Sequence, residues 1–128
     1  MTVSQEMREN LEEMRGLIEA RLADALTGSD VSHDELTLTV KRESLLDTMR
    51  VLHDDTSLQF WSIVDLCGVD YPERDARFEV VYHLLSPRQN ARLRVKLSTD
   101  AETPVPSITG IYPGADWYER EAYDLYGI

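Results

Sequence analysis

The chain has 128 residues, 42% of them apolar, with 13 basic against 24 acidic side chains and a formal net charge of -11. That length suits one domain whose core needs no disulfide or metal, and the acid excess repels phosphate backbones, which argues against nucleic acid as a partner. The near-apolar run over residues 80–85 is far shorter than the ~20 residues that cross a bilayer, so no direct membrane insertion is expected. The acid-bearing start also has neither a secretory nor a transit pattern.

Met7, Leu11, Met14, Ile18, Leu22 and Leu26 recur at steps of three and four among charged residues. This predicts a one-sided helix from residue 5 to about 26, within an N-terminal helical segment over 1–30 that Gly28 ends. Residues 2–5 have capping-box spacing, and Arg8/Glu12 and Arg15/Glu19 are pairs four apart. Next, Leu36, Leu38 and Val40 alternate with Thr37, Thr39 and Lys41, the period of a strand with one buried face. Leu45, Leu46, Met49 and Leu52 return to helical spacing over residues 43–53, and Asp54 and Asp55 fall in the turn beyond.

Three strand-like segments follow. Residues 60–69 are rich in aromatic and β-branched types; residues 77–85 place Phe78, Val80, Tyr82 and Leu84 on one side; residues 91–98 alternate Leu93, Val95 and Leu97 with Arg92, Arg94 and Lys96. Short polar stretches over 71–75 and 86–90, each with a proline, connect them as an antiparallel meander. The cationic outer face of the last strand predicts a guarded sheet edge. Pro104 and Pro106 make residues 100–106 a loop, and helical spacing resumes from Ala115. The expected fold is therefore α+β in a single domain over 1–128, with helices packed on one face of an antiparallel sheet of about four strands. The sheet and one helix occupy 34–100, and the terminal helix lies within 107–128.

The chemical inventory is mostly negative. There is no glycine-rich phosphate loop, zinc-type Cys/His spacing or nucleophile elbow. Cys67 is alone in an apolar run, where a thiol packs as a small hydrophobe. His33, His53 and His83 fall in different elements, and a helix C-terminus is reason enough for His53. One segment stands apart: Asp116, Trp117, Tyr118, Glu119, Arg120, Glu121, Tyr123, Asp124 and Tyr126 pack five charges among one Trp and three Tyr. Arg120 can reach Asp124 four residues on and Trp117 three residues back, a combination suited to a contact surface. Two plainer readings compete. Arg120 and Asp124 tie down a terminal helix, or Glu119 and Glu121 are simply solvated. A catalytic reading of Glu119, Glu121 and Asp124 needs a second group facing them across a cleft.

Four ordered stretches resemble the 30 kDa (C-type) subunit family of respiratory complex I. They are residues 65–72 (DLCGVDYP), 77–84 (RFEVVYHL), 105–109 (VPSIT) and 117–128 (WYEREAYDLYGI), the last carrying the family's Glu-Arg-Glu motif at Glu119, Arg120 and Glu121. The resemblance implies a subunit of NADH:quinone oxidoreductase, a translocase, in which this chain is a non-catalytic scaffold and assembly subunit of the peripheral arm. It implies no cofactor bound by this chain, with FMN and iron-sulfur clusters held by partner subunits. The implied chief neighbour is the 49 kDa (D-type) subunit that helps form the quinone chamber, and the implied location is the cytoplasmic side of the bacterial inner membrane. Members of the family continue past Gly127-Ile128 into a Phe-x-Gly-His-Pro segment and a basic arm, so the chain is read as shortened at its C-terminus. Related subunits of membrane-bound nickel-iron hydrogenases and F420H2 dehydrogenases share the pattern, and a free-standing protein-binding module remains the other reading.

Overall fold

The computed structural model describes residues 3–32, 35–73, 78–87, 91–99 and 105–126, with side chains omitted for 3–7 and 122–126. Helix α1 spans Val3–Leu22, strand β1 Leu26–Ser32 and strand β2 Glu35–Val40; a 3-10 turn at Arg42–Ser44 leads into α2, Leu45–Asp54. Strands β3 (Ser62–Asp70), β4 (Phe78–Ser86) and β5 (Ala91–Thr99) precede the last helix, α3, Ala115–Tyr126.

The five strands form one sheet in the order β1-β2-β5-β4-β3. The expected meander is present, because β3, β4 and β5 pair antiparallel in sequence. Three expectations need correction. The N-terminal helix ends at Leu22, where Ala25 N–H bonds the Leu22 carbonyl at 2.9 Å. The chain then enters β1, a fifth strand with almost no apolar alternation, formed because its backbone pairs antiparallel with β2. The sheet is mixed, since β2 pairs parallel with β5. And β5 is central: it lies between β2 and β4, and its cations are answered across the ladder, Arg94 by Glu35 at 3.0 Å and Lys96 by Glu79 at 3.8 Å.

Alternation decides which face is covered. Leu36, Leu38 and Val40 of β2, Leu93, Val95 and Leu97 of β5, and Val80, Tyr82 and Leu84 of β4 are all buried on one side. They join a single core with Leu11, Met14, Ile18 and Leu22 of α1 and Leu45, Met49 and Leu52 of α2. Each fully buried aliphatic side chain contributes roughly 1.5–3 kcal/mol relative to exposure, so this face anchors both helices. The capping-box expectation at residues 2–5, His33, and parts of the connections at 74–75 and 88–90 lie outside the described residues, as do 100–104 of the expected loop.

Candidate partner-binding surface

The terminal helix is fixed at its inner end and exposed along its outer one. Ile108 and Tyr112 ahead of it, and Ala115 at its first position, are fully or almost fully buried. The Tyr112 hydroxyl donates to the Phe60 carbonyl at 2.5 Å, and the His53 ring meets the Tyr112 ring edge-on, centroids 5.2 Å apart at 85°. Burial pushes the Tyr112 hydroxyl's pKa up, with Asp54 adding to it, so the phenol stays a donor. His53 sits in the last turn of α2, as expected, with Nδ1 2.7 Å from Asp54 Oδ1.

Glu119 has a role inside the chain. One carboxylate oxygen accepts the Ile108 N–H at 2.8 Å and the other accepts the Ser107 hydroxyl at 2.8 Å. A charged acceptor holding a backbone donor makes a stronger bond than a neutral one, so Glu119 straps the 105–110 loop to α3. This departs from the solvated reading of that residue. Glu121 is exposed. Arg120 lies 3.3 Å from Asp116, with 72% of its side chain and 59% of its partner's exposed. Pairs that open to water contribute between nothing and about 1 kcal/mol, so Arg120 adds little to the fold. Its expected partner Asp124, like Tyr123 and Tyr126, has a side chain outside the described residues. Trp117 is 69% exposed and Tyr118 is half-buried against the core.

Two further apolar side chains, not anticipated from sequence, stand beside this helix. Trp61 is 52% and Val64 41% exposed, in and just before β3. Helix α3 packs along β3, and Ile63 Cγ2 lies 3.6 Å from where a Cβ on Gly114 would stand. Phe60 is buried and its neighbour Trp61 exposed, at a turn where Trp61 N–H bonds the Gln59 carbonyl at 2.9 Å.

Other candidates are less organised. Cys67, expected in the core, is half-buried on the face opposite Leu66, with Sγ 3.1 Å from Asp65 Oδ2. Burial first, and then Asp65, push its thiol up to about 11, which keeps it protonated. His83 of β4 sits in register between Asp65 and Arg94. A hollow of about 360 Å³ on the open face is lined by Ser29, Thr37, Thr39, Arg94 and Lys96 among others, and both of its cations already face carboxylates. Among the described residues no cluster of His, Cys, Asp and Glu is arranged to hold a metal, and no helix is long and apolar enough to cross a membrane.

Known proteins similar in sequence and in shape point one way. Over 122 residues, 95% of this chain, it is 57% identical to the C subunit of NADH-quinone oxidoreductase from Sinorhizobium medicae (strain WSM419) and 51% identical to the protein of that name from Mesorhizobium japonicum. In both comparisons the chain spans 61% of the relative's length. Its fold matches a chain in the structure of the membrane-bound sulfane sulfur reductase, an archaeal respiratory membrane complex, with a TM-score of 0.78 and 26% identity, covering 91% of this chain and 68% of that one. The family model of the respiratory-chain NADH dehydrogenase 30 kDa subunit matches residues 38–128, so the chain belongs to that family.

Proposed function

We propose that this chain is a non-catalytic scaffold and assembly subunit in the peripheral arm of a proton-translocating NADH:quinone oxidoreductase. It docks beside the 49 kDa (D-type) subunit that helps form the quinone chamber, on the cytoplasmic side of the bacterial inner membrane. FMN and iron-sulfur clusters, and the electron path from NADH to quinone, belong to neighbouring subunits. The observation that carries this reading is the design of α3: buried Tyr112 and the Glu119 strap fix where it starts, while Trp117 and Arg120 are left facing solvent. Trp and Arg are among the side-chain types that dominate binding hot spots.

The test is Arg120→Ala in the full-length subunit within the intact complex. Because the Arg120–Asp116 pair is open to water, its loss changes the subunit's own stability by less than about 1 kcal/mol. A desolvated docking arginine is worth about 2 kcal/mol or more, roughly a 30-fold weakening. Native electrophoresis with an in-gel activity stain is expected to show less assembled complex with normal turnover per complex. Normal assembly with lost turnover would count against the scaffold role.

The likeness to an archaeal respiratory membrane complex other than NADH-quinone oxidoreductase keeps a second setting in view, the equivalent subunit of a related complex such as a membrane-bound nickel-iron hydrogenase or F420H2 dehydrogenase. The higher identity to the NADH-quinone oxidoreductase subunits, 57% against 26%, supports the first setting. Neighbouring genes for flavin- and NADH-binding subunits separate the two.

A further inference from the structure

Among the described residues, four large apolar side chains are exposed: Leu46, Trp61, Val64 and Trp117. Three of the four flank one contact, that of Ile63 with Gly114, where β3 meets the start of α3. Two backbone irregularities lie beside Trp61 and Val64. Gln59 is in the left-handed region at φ 51°, two residues before Trp61. A bulge between Ile63 and Asp65 leaves Val64 out of the β3–β4 register. Left-handed non-glycine residues and bulges both recur where a side chain is re-aimed for function, and here they bracket the exposed pair.

The surroundings of this apolar corner are acidic. The described side chains of α3 include Asp116, Glu119 and Glu121 against Arg120, and β3 adds Asp65. Beyond burial, Asp65, whose Oδ2 is 3.1 Å from the Cys67 Sγ, and Glu121 both raise the pKa of that thiol, with Arg94 of β5 opposing them. Anionic lipid headgroups are repelled by such a border, whereas a polypeptide with Lys or Arg flanking apolar side chains is complementary to it.

We propose that Trp61, just before β3, and Val64 of the β3 bulge join Trp117 of α3 in one docking surface, and that its occupant is a basic, apolar-faced segment of a neighbouring subunit. This rests on the docking role assigned to α3 above, and it adds the strand side of the surface and the chemistry of the partner.

Three variants of the full-length subunit in the intact complex separate the possibilities: Trp61→Ser, Leu46→Ser as an exposed apolar control on α2, and Arg120→Ala. Trp61→Ser is expected to lower the yield of assembled complex on native gels at least tenfold relative to Leu46→Ser. If Arg120→Ala disrupts assembly while Trp61→Ser behaves like Leu46→Ser, the proposal is overturned and docking through α3 stands. If Arg120→Ala leaves assembly intact as well, the docking role falls with it. A photo-crosslinking p-benzoylphenylalanine placed at position 61 gives a readout that does not depend on destabilising the subunit. Mass spectrometry of the crosslink should return a peptide of net positive charge from another subunit, and a net acidic peptide, or none from any subunit, refutes the partner chemistry.

Discussion

At one edge of the sheet, β1 is tied to α1 by Arg15, whose guanidinium donates to the Ser29 hydroxyl at 2.9 Å and to the Ser29 carbonyl at 3.1 Å. At the other edge, β3 projects Trp61 and Val64 into solvent beside an exposed Trp117. The first edge is finished by the chain's own polar side chains: Glu12 and Glu19 hold the same arginine, and Ser29 in turn donates to Glu19. An edge closed in this way has little left to offer a partner. The second edge keeps large apolar side chains exposed among the described residues, and apolar surface of that kind, where contiguous, is the type that marks interaction sites. The β1 edge is closed within the chain, the β3 edge is the one the docking proposal uses, and each half of the contrast can be broken separately.

The largest effect is expected at Glu119, which ties the 105–110 loop to α3. Glu119→Ala removes the acceptor of two hydrogen bonds, one from a part-buried backbone N–H. Bonds to charged groups are worth roughly 1.5–3 kcal/mol each before solvent exposure weakens them, so a loss of about 2 kcal/mol is expected in urea denaturation of the full-length subunit. Glu119→Gln keeps a carbonyl acceptor and should lose less than half as much. Equal losses in the two variants would mean that charge, not the strap, matters.

The difference between the edges also shows what a one-dimensional reading can reach. Strands β4 and β5 were legible because Phe78, Val80, Tyr82 and Leu84, and then Leu93, Val95 and Leu97, alternate without interruption. Strand β1 was not, because Thr27, Gly28, Ser29 and Asp30 have no apolar period; that segment is a strand through its pairing with β2 and its bonds to Arg15. The cations of β5 fit a guarded edge equally well until the topology sets Glu35 and Glu79 beside them. The unusual composition of α3 was visible, yet the partner of Glu119 was not, since Ile108 lies eleven residues upstream. Trp61 was absorbed into a strand pattern that recorded its β propensity and not the side it faces.

A smaller effect, of opposite sign, is expected at Gln59, which carries a positive φ of 51°. A left-handed L-residue costs roughly 1–2 kcal/mol, and glycine escapes that cost while losing roughly 0.5–1 kcal/mol through the greater freedom of its unfolded chain. Gln59→Gly should therefore stabilise the subunit by about 0.5 kcal/mol, visible as a slightly higher denaturation midpoint. If the irregularity serves to aim Trp61, assembly should fall or stay level even as stability rises.

The smallest effect tests the finished edge. Glu19 has its carboxyl pKa held below the ordinary value of 4.5, first by the Ser29 hydroxyl and further by Arg15, with burial opposing both. A lowered folded-state pKa means that the contribution is present above the unfolded value and is lost as pH falls through the folded one. Ser29→Ala removes the largest cause, so the Glu19 carboxyl, followed by NMR titration, should move up toward 4.5 while Arg15 still holds it partly down. The side chain is 47% exposed, so water and salt screen the interaction, and the shift should shrink as ionic strength rises. A Glu19 midpoint that ignores both Ser29→Ala and added salt would mean that β1 is held by its backbone ladder alone, and the contrast between a side-chain-tied edge and an open one would lose its first half.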